Sequence, residues 1–234
     1  DFKHIKNVRM GTKALTYHPY RFLTDPDADS LLECFENFIS HGKHVSIMAH
    51  FSHFNEITRP TIEAVKRLRK VGCNIRTQAP IMRYINDNPL VWSTMWEKQV
   101  QYGMIPYYMF VARDTGPQCY FEVPLAKALY IFSEARKKMS GLSHTARGPS
   151  MSSGPGKVCV LGKERVAGED VFVMKFLQGR LDSWCDRVFF AKYDEKATWL
   201  DQLQPAFGEK EFFFETEYRD YLATKKNMVA QCQS

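Results

Sequence analysis

The sequence predicts an α/β protein whose first half is a series of β-α units on a parallel sheet. Short β-like apolar runs alternate with amphipathic stretches from Val8 to Tyr108, the order that lays strands side by side with helices packed over them. Glycines stand where the helical stretches should stop, at Gly72 and Gly103. Beyond the Tyr108 strand the alternation ends, and the β-like runs Val158 to Leu161 and Val171 to Leu177 follow, with a turn signal at Ala167-Gly168-Glu169-Asp170 between them.

Taken in order, Lys3 to Gly11 reads as a strand already under way, so the chain is expected to begin in mid-domain. Val45 to Ala49 is the clearest strand. The helix after it starts near Thr58, a suitable N-cap with Pro60 in the first turn, and carries Ile62, Val65, Leu68 and Val71 as its apolar stripe. Lys66, Arg67, Arg69 and Lys70 fall mainly on the solvated side. Asn74 to Met82 is the next strand, Val91 to Tyr102 the next helix, and Ile105 to Val111 the strand after that. A helix from Val123 to Met139 turns Leu125, Leu129 and Phe132 inward, and Arg147 to Lys157 is a breaker-rich loop. The remainder, with Phe189-Phe190 and Phe212-Phe213-Phe214, reads as an accessory region packing aromatics against the main body. The expected division is 1–112 for the β-α units, 113–162 for the helix and loop, and 163–234 for the accessory region. Three or four β-α units cannot close an eight-stranded barrel, so other strands are expected upstream or from another chain.

Composition narrows the function. The net charge of +6 is scattered, with no basic tract, which disfavours nucleic acid. No run approaches the roughly 18 to 20 apolar residues that span a bilayer, and no signal peptide opens the chain, so a cytoplasmic, non-membrane protein is expected. The six cysteines are too dispersed for a zinc knuckle or an iron-sulfur loop and read as reduced thiols.

In parallel β-α architectures the chemistry gathers after the C-terminal ends of the strands. That rule selects His50, His53, Asn55 and Glu56, then Gln78 and Arg83, then Arg113 and Asp114. His50 and His53 lack a third ligand, so no metal site is expected in this chain. Lys157 follows Gly154-Pro155-Gly156, where glycine lets backbone approach a bound group and proline fixes part of the loop. A desolvated lysine there suits Schiff-base chemistry with an aldehyde cofactor.

Five segments in register carry a family resemblance. Asn7 to Thr12, His50 to Thr58, Thr77-Gln78 through Asp87, Pro106-Tyr107-Tyr108 and Gly154 to Lys157 resemble successive landmarks of the lysine 2,3-aminomutase family. The resemblance runs from about Val8 to Leu161 and implies the C-terminal part of a partial, TIM-like radical S-adenosylmethionine barrel, followed by a pyridoxal-phosphate loop and a β-rich extension. It implies an isomerase in which a 4Fe-4S cluster held by C-x-x-x-C-x-x-C cleaves S-adenosylmethionine. The resulting radical acts on an amino acid held as an aldimine on pyridoxal phosphate, and the amino group migrates to the adjacent carbon.

Carried over by position, Lys157 is the cofactor lysine, with Gly154 and Gly156 shaping its loop, and Gln78 and His50 belong to the S-adenosylmethionine site. The cluster cysteines have no counterpart here, so this segment alone is expected to be inactive. Asn88 stands where a cysteine of the family's intersubunit zinc site is expected. Where the lysine enzymes hold the substrate ammonium with two aspartates, this sequence has Arg113 and, near the second, Ser150; Asp114 restores an aspartate after a one-residue slip. A cation in that place implies an acidic amino-acid substrate. The competing expectation is a cluster-free, inactive module binding a pyridoxal compound or a partner. A homo-oligomer is compatible with either.

Overall fold

A computed structural model describes residues 3–113 and 116–232. Eight strands form one sheet in chain order, β1 (Asn7–Thr12), β2 (His44–His50), β3 (Asn74–Ile81), β4 (Ile105–Val111), β5 (Arg147–Ser152), β6 (Gly156–Val166), β7 (Glu169–Gly179) and β8 (Val188–Lys192). Pairing is parallel from β1 to β5 and antiparallel from β5 to β8. The helices are α1 (Ala14–Tyr17), α2 (Ala28–Ser40), α3 (Arg59–Lys70), α4 (Pro89–Gln101), α5 (Gln118–Phe121), α6 (Leu125–Lys137) and α7 (Glu215–Cys232). Among the described residues no helix is long and apolar enough to cross a membrane.

Period-two burial decides which face of the sheet the helices cover. Val45, Ile47 and Ala49 of β2 and Ile75, Ala79 and Ile81 of β3 join a core with Phe35 of α2, Leu68 of α3 and Trp92 and Trp96 of α4. Each such buried aliphatic side chain stabilises the fold by roughly 1.5–3 kcal/mol before entropy is counted. α3 begins as its sequence predicts, with Thr58 Oγ1 accepting the Thr61 N–H at 3.4 Å, and stops at Gly72, whose φ of +94° suits glycine alone. α4 starts earlier than Val91, because Asn88 caps it by accepting the Leu90 N–H at 2.8 Å and Pro89 takes the first turn.

A second core forms under β6 and β7, where Phe176, Trp184, Phe189, Phe212 and Phe214 cluster. α6 joins the two cores, turning Leu125 and Leu129 into the second and Ile131 and Ala135 into the first. The aromatics of the last third therefore do pack on the main body.

The breaker-rich segment is not a loop throughout. Arg147–Ser152 is strand β5, which joins the parallel strands to the antiparallel ones. Pro149 lies at a register irregularity against β4, the place in a sheet that tolerates a missing N–H. A Cβ at Gly148 would fall 2.7 Å from the Met109 carbonyl oxygen, so glycine permits the strands to meet there. Only residues 153–155 link β5 to β6, and Lys157 is the second residue of a strand.

Candidate active site

The face of the sheet opposite the helices carries the residues between the core positions. Ser46, Met48 and His50 of β2, Arg76 and Gln78 of β3, and Tyr108 and Phe110 of β4 belong to it, because their strand neighbours fill the helical cores. Lys157 belongs to it too, since its neighbour Val158 is in the second core. Register aligns His50 with Gln78 and Gln78 with Tyr108. A shift in register after Thr77 leaves Tyr107 as an extra residue, and its ring lies 4.4 Å from that of Tyr108.

Lys157 reaches across this face. Its Nζ lies 4.2 Å from the centroid of the Tyr108 ring and 5.4 Å from that of Phe110, and those two rings are stacked 4.8 Å apart. Burial lowers the pKa of the amine from its ordinary value; Tyr107 opposes the shift, while Arg9 and Arg147 add to it. A lowered pKa raises the fraction of neutral amine, the form that attacks a carbonyl.

The Gly154-Pro155-Gly156 link is firmly held. The Ser153 N–H and hydroxyl donate to the Gly156 carbonyl at 2.9 and 2.8 Å, and Arg180 donates from its backbone to Pro155 and from Nε to Gly154, both at 3.0 Å. A Cβ on Gly156 would fall 2.2 Å from the Gln178 carbonyl oxygen, and one on Gly154 would fall 2.6 Å from Tyr218 Oη. A cavity of about 490 Å³ opens beside the lysine, lined by Ser152, Ser153, Lys157, Gln178, Arg180 and the carboxylate of Asp182 among others. Amine, hydroxyls and guanidinium are the donor set that an aldehyde bearing a phosphate needs, so the residues present fit pyridoxal phosphate.

His50 and Gln78 meet directly, Nε2 to Nε2, at 2.8 Å. Burial lowers the pKa of His50, with a further contribution from Lys13. The neighbouring candidates do structural work instead: His53 Nδ1 accepts the Asn55 N–H at 3.2 Å, and Glu56 Oε2 accepts the Ser52 N–H at 2.6 Å. Among the described residues no group of three or more His, Cys, Asp or Glu side chains could hold a metal.

Arg113 is exposed just beyond β4, and Asp114 lies outside the described residues. Ser150 is fully buried on β5, opposite Phe110 and Cys159, and its hydroxyl faces the Cys159 thiol. Sequence reasoning missed Arg9, Arg76, Arg147 and the ring of Tyr108. Strand alternation is the signal that would have found them, because each alternates with residues of the helical cores.

No family model matches the chain. Curated relatives do. The chain is 35% identical over 164 residues to a putative L-lysine 2,3-aminomutase of Aquifex aeolicus, covering 70% of this chain and 43% of that protein. It is 26% identical over 182 residues to glutamate 2,3-aminomutase of Clostridioides difficile, covering 77% and 41%. It is 24% identical over 242 residues to L-lysine 2,3-aminomutase of Bacillus subtilis, covering 97% and 49%. The chain thus spans less than half the length of these relatives, and it belongs to the lysine 2,3-aminomutase family.

Proposed function

We propose that this chain supplies the pyridoxal-phosphate lysine and part of the S-adenosylmethionine site of a radical 2,3-aminomutase, which moves an amino group between adjacent carbons of an amino acid. The observation that carries this is Lys157, half-buried with a lowered pKa, on a tightly held glycine link beside the 490 Å³ cavity. Pyridoxal phosphate would supply the electrophilic carbonyl and the conjugated ring. Lys157 holds the amine that engages it, Gly154 and Gly156 keep the backbone close, and Ser152, Ser153 and Arg180 offer donors around it. His50 and Gln78 form a polar pair one strand pairing from Tyr108, suited to the polar end of S-adenosylmethionine.

The parallel strands read as the later units of a partial barrel. The sequence has no C-x-x-x-C-x-x-C, so the iron-sulfur cluster would be held by residues outside this segment. For the substrate, the exposed Arg113 cation favours an acidic amino acid, the class for which one relative, glutamate 2,3-aminomutase, is named.

Borohydride reduction of the protein with pyridoxal phosphate, followed by peptide mapping, tests the reading. Label on Lys157, lost in Lys157→Ala, is expected. Label elsewhere, or none, overturns it.

A further inference from the structure

Strands β1 to β5 contain no aspartate or glutamate, and their arginines are Arg9, Arg76 and Arg147. Arg9 alternates with Val8 and Met10, which pack on the helical core, and Arg76 alternates with Ile75. Both therefore take the face that carries Lys157. Arg147 reaches it as well, its guanidinium donating to Tyr108 Oη at 3.3 Å.

Aromatic rings fix two of these cations. Arg76 lies 5.0 Å and Arg147 5.5 Å from the Tyr107 centroid, and Arg147 lies 5.9 Å from that of Tyr108, the ring on which Lys157 rests. Stacking orders a guanidinium while leaving its N–H edge free for a planar anion. Among the described residues none of the four cations forms an ion pair, and Asp186, the carboxylate that Arg147 senses, is held by Lys175 at 2.7 Å. Two further observations mark a ligand's place. Ser46, in register with Arg9, is 7% exposed and its Oγ has no partner. Gly11, next in β1 on the same face, has nothing within 4 Å of where a Cβ would stand.

The geometry points to an oxyanion cradle made by Arg9, Arg76 and Arg147 with the Ser46 hydroxyl, which takes an anionic group of the small ligand that Lys157 engages. Cations convergent on one spot repel each other, and a divalent or bidentate anion relieves that repulsion with charge-assisted hydrogen bonds. The shared chemistry is an oxyanion, which either the phosphate of a pyridoxal cofactor or a carboxylate of an amino acid supplies. This rests on the proposed role of Lys157 only for the ligand's identity, since the cradle itself stands without it.

The test is titration calorimetry of the protein with inorganic phosphate and with glutarate, and of pyridoxal phosphate against pyridoxal. Wild type should bind at least one simple anion, and Arg76→Gln and Arg147→Gln should each weaken it tenfold or more. Arg76→Lys, which keeps the charge and most of the stem, should weaken it less. If pyridoxal phosphate loses affinity in the Gln variants and pyridoxal does not, the cofactor's phosphate occupies the cradle. If glutarate alone loses affinity, the occupant is the substrate carboxylate. Should either Gln variant fail to fold, the exposed Arg9→Gln carries the same expectation. Wild type that binds neither anion, or folded Gln variants that bind as well as wild type, overturns the inference. Anion binding retained in a protein with no label on Lys157 would sink the functional reading and leave the cradle standing.

Discussion

The Lys157 amine lies 4.2 Å from the centre of the Tyr108 ring, so a ring on the fourth strand holds the cation of the sixth. Burial and this ring act on the amine in opposite directions. Burial favours the neutral form, while the ring's negative face favours the ammonium by roughly 0.5–1 kcal/mol. In Tyr108→Leu the lysine should titrate at still lower pH than in wild type. Lysine-directed acylation across a pH series, read at the Lys157 peptide, measures this; an unmoved or raised midpoint would show that the ring contact carries no weight.

The lowered pKa also couples stability to pH. In the range between the folded value and the ordinary 10.5, the unfolded chain binds more protons at Lys157 than the folded one, so this group's contribution to stability rises with pH. The penalty of keeping the ammonium is full below the lowered pKa and gone above 10.5. Lys157→Met should therefore gain stability over wild type at neutral pH, and the gain should shrink towards pH 10.5 in urea melts. A gain that stays constant with pH would assign it to packing alone.

Gly156 and Gly162 lie on one strand and make a controlled pair. A Cβ on Gly156 meets the Gln178 carbonyl oxygen at 2.2 Å, which backbone cannot yield, whereas one on Gly162 finds only the end of Glu164, at 3.9 Å. Gly156→Ala should cost about 1–3 kcal/mol and weaken pyridoxal-phosphate uptake. Gly162→Ala should cost under about 1 kcal/mol and leave uptake intact. Equal effects in thermal melts and absorbance titrations would contradict the close approach.

A polar contact ties α7 to the second core, the Trp184 indole N–H donating to Glu217 Oε2 at 2.6 Å. Trp184 is fully buried. Glu217→Ala leaves the indole N–H without its acceptor, at a cost of about 1–3 kcal/mol. Hydrogen exchange should show faster opening of α7 and unchanged protection in β1 to β4. Uniform loss of protection would mean that α7 is integral to the whole fold.

With the complete, cluster-bearing enzyme, amino-acid competition tests the substrate reading. Wild type should turn over an acidic amino acid in preference to lysine, and Arg113→Asp should narrow or reverse the difference. Efficient use of lysine by wild type would show that the Arg113 cation does not face the substrate.

β2, α3, β3, α4 and β4 were legible because their period is local, whereas α1 and α2 were not singled out. Thr58, Val65, Leu68 and Gly72 state where α3 starts, which side it buries and where it stops, without reference to anything distant. Arg147–Ser152 was not legible as a strand, because Gly148 and Pro149 argue against one locally and only pairing on both sides overrides them. The lysine link was visible from Gly154-Pro155-Gly156 alone. The arginines around it were not, since Arg9, Arg76 and Arg147 stand on three different strands and only the pairing brings them to one face. His53 and Glu56 stood out by residue type, yet their hydrogen bonds are spent on closing the turn in which they sit.

The strand order has a consequence for assembly. Every strand pairs with its immediate predecessor, so none has to be threaded between two already joined, and the sheet is able to zip in the direction of synthesis. Arg9, Arg76 and Arg147 are then in place before Lys157 exists as a neighbour. The amine arrives when the residues at 153–155 fold β6 back along β5, and that single tight reversal brings a nucleophile to the face that already carries the arginines.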